Sequence, residues 1–417
     1  MIFPFPALPD LLDLTDPEHH RQIRRATDAV VAASVKGEEL EVQERALLAN
    51  KDQYPFSAHL VLKMARSRSV LSMVDTKLHI SVVFALYKEH TRILTRDQHA
   101  HGENFLMEKI KQMAWLCRGL PNISWDMIVV DDGCPMKSGV CAQEILNAHR
   151  SAESDLVQVL FLDQAIRQGH PATVAMRSTD ESRKGGSITL GLWEAAKGSA
   201  SNAKDDTIII FTDADLSTDL GQCGLLVDGI LNKNADAAIG SRRETDSVVI
   251  KEASRNTRGK LFIYLWKRLL PNLIQLVDTQ CGFKAFRAET ARIITQNMRE
   301  SQFAFDIELL LKTELNRPGS IIKVPVAWFD SDAASTTTDL QPYLTMLKSI
   351  AGFYRAYLPH QSEVEGFANL IDQLDESQWN LLLENIPTEI SRRHPAEFGH
   401  FNGITASRLS EIAGLPG

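Results

Sequence analysis

The sequence is poor in cysteine, in long apolar runs and in net positive charge, and each shortage removes a class of protein. Five cysteines among 417 residues, none in a CxxC pair, supply neither a disulfide framework nor a zinc knuckle. Unbroken apolar stretches such as Ile208 to Phe211 fall far short of the roughly 20 residues that cross a bilayer. No basic stretch followed by an apolar core opens the chain. We therefore expect a cytoplasmic protein with at most peripheral membrane contact. A net charge of −8, from 45 basic and 53 acidic residues, argues against a global field for nucleic acid and leaves local basic patches free to meet phosphate. There is no repeat of solenoid period and no low-complexity tract. What remains, 44% apolar and 24% charged residues, is the composition of a soluble globular protein larger than one minimal domain.

Residues 1–76 open with MIFPFPALPD and continue as polar, helix-permissive sequence, which predicts an N-terminal helical extension. From Leu78 the texture becomes short β-rich runs (LHISVVFAL, WDMIVV, LVQVLFL, DTIIIF, ADAAIG, IIKVPVAW) separated by amphipathic stretches at Glu103–Cys117, Ser187–Lys197, Leu220–Leu231 and Thr257–Leu270. Apolar strands alternating with helices predict a parallel, doubly wound α/β sheet over 77–335, covered on both faces. Residues 336–417 predict a second helical extension. In such a sheet ligands bind beyond the carboxyl ends of the strands, so chemistry is sought there.

The first predicted strand runs into Tyr87-Lys88-Glu89 and the second into Asp131-Asp132-Gly133. Carboxylates at strand ends are costly to bury unpaired, so they meet a ligand or cap the turn that follows. The fourth strand ends in Asp213-Ala214-Asp215, two carboxylates that can reach one Mg²⁺ or Mn²⁺ ion, which would in turn hold a diphosphate. Arg183-Lys184-Gly185-Gly186-Ser187 opens a helix with backbone N–H groups and a positive charge for an anion, although GxxxxGK[ST] spacing is absent. The window Ser241–Leu270 holds eight basic and three acidic residues, with Arg242, Arg255 and Arg258 best placed to meet an anion, whereas Lys267 and Arg268 read as a solvated helix face. Asp278-Thr-Gln280-Cys281-Gly282-Phe-Lys284 reads as a polar turn, and Asp306 and Glu308 open an apolar helix whose dipole alone would favour one of them. The histidines show no i, i+4 pairing with a carboxylate and read as surface or loop residues.

In this order SVVFALYKE, IVVDDG, RKGGS, FTDADLS, GSRR, DTQCGFKAFR and FAFDIELL resemble the inverting glycosyltransferases of family 2, which have the GT-A fold. Within that family the likeness is to the dolichyl-phosphate glucosyltransferase and bacterial polyprenyl-phosphate glycosyltransferase branch. The resemblance implies that Glu89 and Asp132 contact the base and ribose of a nucleoside-diphosphate sugar, with Lys184 nearby and UDP-glucose the expected donor; Asp131, Asp213, Ala214, Arg242 and Arg255 are expected at the same donor site. It further implies that Asp213 and Asp215 hold the metal, that Asp306 is the catalytic carboxylate, and that Gln280, Cys281, Gly282 and Lys284 lie where sugar and acceptor meet.

The sequence departs from that family at Ala85-Leu86, Lys88 and Cys134, all beside the nucleotide pocket, and polar extensions stand where membrane relatives carry spanning helices. The expected acceptor is therefore the hydroxyl of a soluble molecule. Transfer to a polyprenyl phosphate at a membrane surface is the alternative, for which the amphipathic stretch Leu261–Val277 offers a membrane-facing helix. A silent nucleotide-sugar-binding scaffold is the third reading. No nucleic-acid partner is expected, and self-association is left open.

Overall fold

The computed structural model describes residues 8–33, 37–199, 206–250, 256–329, 343–400 and 403–415. Nine strands are described: β1 (Leu78–Leu86), β2 (Ile123–Asp131), β3 (Val157–Phe161), β4 (Asp206–Thr212), β5 (Ala237–Ser241), β6 (Val248–Ile250), β7 (Phe283–Arg287), β8 (Ile321–Pro325) and β9 (Ala327–Phe329). Seven form one sheet in the order β3-β2-β1-β4-β7-β5-β8. All neighbours are parallel except β7, which runs antiparallel to both β4 and β5. The α/β class with a mostly parallel sheet and helices on both faces is the one expected.

Two features differ from the sequence reading. Phe283–Arg287, read as the end of a polar turn and the residues after it, is a strand buried from Phe283 to Phe286, and its antiparallel sense was invisible because five residues, two of them basic, carry no direction. The run IIKVPVAW divides at Pro325, which has no N–H to continue a ladder, and its second half pairs with β6 in a separate two-stranded ribbon.

Register places the chemistry. Leu86 of β1 stands opposite Asp131 of β2, and Val83 opposite Phe211 of β4, so the loops beginning at Tyr87, Asp132 and Asp213 open on one edge. Because β7 is reversed, Thr212 pairs with Phe283, which brings the residues before β7 to that same edge.

Each face of the sheet carries its own apolar core. Helices Pro17–Ala33, Phe56–Ser72, Phe105–Cys117 and Cys223–Leu231 cover one face, with Ile23, Val61, Leu62 and Leu226 against Ile80, Val82 and Ile210. Helices Gly185–Ser199, Asn256–Leu269 and Phe305–Asn316 cover the other, and Tyr343–Tyr357 and Ser362–Gln373 pack over them with Leu347, Ile350, Phe367 and Ile371.

The stretch Leu261–Val277 is core-facing, not membrane-facing: Leu261, Phe262, Ile263, Tyr264, Leu265 and Trp266 are all buried. Lys267, expected on a solvated face, is also buried. Its Nζ donates to the Ile274 carbonyl at 2.7 Å, and burial lowers its pKa to about 8. His20 and His59 are likewise buried in helices rather than on the surface, since a helix-borne imidazole packs as readily as a ring of similar size.

Candidate active site

The loops at the carboxyl edge enclose a cleft of about 530 Å³ lined by Tyr87, Lys88, Glu89, Arg92, Asp132, Arg183, Lys184, Asp213, Ala214, Asp215 and Phe303, with Ala85 at its base. Of the residues singled out in the sequence, Glu89, Asp132, Lys184, Asp213, Ala214 and Asp215 meet here. Arg255 lies outside the described residues.

The two adjacent carboxylates at the end of β2, Asp131 its last residue and Asp132 the first of the loop, do different work. Asp131 turns away from the cleft and accepts from the backbone N–H of Cys134 at 2.9 Å and of Gly139 at 2.6 Å, pinning the turn and the helix Ser138–Ala148. Asp132 accepts from Ser182 Oγ at 2.6 Å, Ser187 Oγ at 2.7 Å and the Lys184 N–H at 2.8 Å. It thereby clamps the Lys-Gly-Gly turn. Burial raises its pKa, an effect those three bonds only partly offset.

That turn is fastened from the other side as well. The Ser301 carbonyl accepts from both Arg183 N and Gly186 N at 3.0 Å. Lys184 has a φ of 76°, a left-handed backbone that a non-glycine residue adopts only where its surroundings over-determine it. Its Nζ reaches the Asp213 carboxylate. Burial opposes the charge of Lys184, but Asp213 and Asp306 outweigh it and hold the pKa above the ordinary lysine range.

Asp213 and Asp215 respond oppositely to the same surroundings. For Asp213, burial pulls upward but Lys184, Arg242 and Lys284 together outweigh it and lower the pKa. For Asp215, burial and the neighbouring charge of Asp213 raise it, against a smaller pull from Arg92 and Lys109. Two hard oxygen donors at one strand end suit Mg²⁺ or Mn²⁺, and they fit an ion that keeps positions for phosphate and water. Among the described residues no group of three or more His, Cys, Asp and Glu side chains completes an all-protein cage.

The remaining predicted residues lie behind the cleft rather than on its lining. Asp213 N donates to the Gly282 carbonyl at 3.1 Å, and a Cβ on Gly282 would overlap the Asp213 carboxylate. Lys284, fully buried, donates from Nζ to Asp306 Oδ1 at 2.9 Å and to the Cys281 carbonyl at 2.6 Å. Burial raises the pKa of Asp306, and Lys284 and Lys184 compensate only in part. Cys281 is a buried thiol pushed up to about 12, inert as a nucleophile at neutral pH. Gln280 holds a buried Nε2 with no acceptor. Arg242 is committed to Asp278 through Nε at 2.8 Å and Nη2 at 2.7 Å, with its guanidinium 4.8 Å from the centre of the Trp328 ring. Glu308 is structural, accepting from Arg299 N, Glu300 N and Tyr357 Oη.

Sequence reasoning missed Arg92 and Phe303. Arg92 sits in a run of charged and polar residues that reads as a solvated loop, and its burial is a product of tertiary structure alone.

No family model matches the chain. It is similar to glycosyltransferase AglD of Haloferax volcanii, 29% identical over 210 residues that make up 50% of this chain and 28% of that one. It is also 27% identical to the dolichyl-phosphate beta-glucosyltransferase of Drosophila melanogaster, over 62% of this chain and 70% of the fly protein. Among solved structures, glucosyl-3-phosphoglycerate synthase of M. tuberculosis aligns at 18% identity and a TM-score of 0.44, over 72% of this chain and 87% of that one. Both sequence relatives are named as glycosyltransferases, and the chain spans little more than a quarter of the first. Its likeness is to family 2 members near the polyprenyl-phosphate branch, as the strand-end motifs implied.

Proposed function

We propose that the protein is a metal-dependent, inverting glycosyltransferase that moves a hexose, glucose from UDP-glucose in the first instance, to a polyprenyl phosphate at a membrane surface. The observation that carries the reading is the Asp213-Ala214-Asp215 edge facing Glu89 across one cleft, in a chain related to a dolichyl-phosphate beta-glucosyltransferase. The soluble hydroxyl acceptor expected from the sequence gives way to the lipid phosphate, because the relative that aligns over most of its own length is named for a lipid phosphate acceptor.

A divalent ion held by Asp213 and Asp215 would neutralise charge on the departing diphosphate. Lys184 adds a second positive charge at the same place. Glu89 and Asp132 face the nucleoside end of the cleft. A phosphate acceptor arrives already anionic and requires no base, so Asp306 then serves as the buried counter-charge of Lys284 instead of removing a proton. Attack from the side opposite the diphosphate inverts the anomeric centre. Among the described residues no helix is long and apolar enough to cross a membrane. Exposed Tyr87 beside Lys88 on the cleft lining supplies an apolar and a basic group that suit a bilayer surface.

A specific observation keeps the hydroxyl acceptor as a second reading. Asp306 is a buried carboxylate with a raised pKa, the condition of a general base. The test is transfer of radiolabel from UDP-glucose, with GDP- and dTDP-sugars alongside, to dolichyl phosphate in liposomes and to soluble polyols, each with Mn²⁺ and with chelator. Metal-dependent labelling of the lipid supports the proposal, and labelling of a polyol restores the second reading. Donor binding without transfer to either would leave a nucleotide-sugar-binding scaffold.

A further inference from the structure

Arg92 is 6% exposed and faces three carboxylates from three parts of the chain. Its Nε and Nη2 donate to the two oxygens of Glu103, each at 3.0 Å, and its Nη1 donates to Glu89 at 3.1 and 3.3 Å. Its Nη2 also stands 4.0 Å from Asp215 Oδ2. Glu89 belongs to the loop after β1, Asp215 to the loop after β4, and Glu103 to the approach to the helix Phe105–Cys117.

Closing the loop after β1 does not require this arginine. Glu103 N donates to the Arg92 carbonyl at 2.9 Å and Asn104 N to the Leu94 carbonyl at 2.8 Å. Gly102 is pressed so closely on the Thr95 carbonyl that a Cβ would collide with it. Gathering buried charges around one guanidinium carries a desolvation cost that loop closure by backbone alone avoids. What the guanidinium adds is geometry, since a planar fork with five donors fixes several carboxylates relative to one another and a lysine ammonium does not.

We propose that Arg92 is a positioning residue that sets the spacing between Glu89 and Asp215, so that the nucleoside end and the diphosphate end of the donor are held in register, with Glu103 orienting the fork. This rests on the reading above, in which Glu89 and Asp215 meet the two ends of a nucleoside diphosphate.

The register is read as the cooperation between metal and nucleotide. UDP binding to wild type, Arg92→Lys and Glu103→Gln is measured by calorimetry with Mn²⁺ and with chelator, and each melting temperature is recorded. In Arg92→Lys the strengthening of UDP binding by Mn²⁺ should shrink by about tenfold or more, and in Glu103→Gln by a smaller factor. A melting temperature near wild type accompanies both. A residue that merely supports the fold would weaken binding equally with and without metal, so an unchanged strengthening in Arg92→Lys overturns the assignment. If wild type binds no UDP, the donor-site reading fails by itself, and hydrogen exchange of the ligand-free proteins decides on Arg92. Faster exchange at both 87–95 and 213–218 in Arg92→Lys retains the tether, and faster exchange confined to 87–95 rejects it.

Discussion

Lys284 donates to Asp306 at 2.9 Å with both side chains buried, so each is the other's counter-charge across the reversed strand β7 and the start of the helix Phe305–Asn316. Removing one member of such a pair strands a buried charge. Asp306→Ala should cost about 3–5 kcal/mol in urea unfolding, and Lys284→Met added to it should recover most of that loss.

The conservative change separates the two acceptor chemistries. Asp306→Asn keeps the shape of the side chain and should leave donor binding intact. With a phosphate acceptor kcat should stay within about tenfold of wild type, whereas a hydroxyl acceptor that needs a base should lose about 100-fold or more. Wild-type turnover of a polyol by this variant would remove Asp306 as a base.

Asp215→Ala should abolish the metal-dependent part of nucleotide binding. UDP titrations with Mn²⁺ and with chelator should then coincide. Equal strengthening by Mn²⁺ in variant and wild type would take Asp215 out of the metal site.

Gly282→Ala tests the same carboxylates from behind. The added methyl overlaps the Asp213 carboxylate and must displace it. Metal-dependent UDP affinity should fall by about tenfold or more, while the unfolding free energy changes by about 1–3 kcal/mol, the range of an overpacked site. Binding like wild type would show that Asp213 moves without consequence.

Glu89 gives the protein a pH signature. Burial, partly offset by Arg92, raises its pKa from 4.5 to about 7. Between those values the folded chain holds a proton that the unfolded chain has released. The contribution of Glu89 to stability is therefore greatest at the acid end and is lost as pH rises to about 7. In chelator, wild type should lose stability relative to Glu89→Gln by on the order of 3 kcal/mol from pH 4.5 to pH 8, followed by urea unfolding. A flat difference would place Glu89 at its ordinary value.

The strand-end logic located the cleft, though six of the site residues it singled out line it and the other described ones do not. β1 spans Leu78–Leu86, the run read from its apolar texture, and the acids after β2 and β4 open on one edge because parallel neighbours share a direction. What stayed hidden were relations between side chains far apart in sequence. Nothing in Asp131-Asp132 tells which carboxylate holds its own turn and which reaches Ser182 and Ser187 some fifty residues on. The pairing of Arg92 with Glu103 lies within a segment as polar as any surface loop. Lys267 shows the converse, since a lysine with its long apolar stem is hidden as easily as it is exposed, and only its carbonyl partner reveals which.

Helices pack on both faces of the sheet, and the cleft lies at the carboxyl edge of the strands, so under the proposed reading a lipid phosphate would enter past the strand ends. The work of meeting then falls on the lipid. Under that reading each methylene drawn out of the hydrocarbon would forfeit roughly 0.8 kcal/mol, so the farther a headgroup must rise to the cleft, the weaker its binding there.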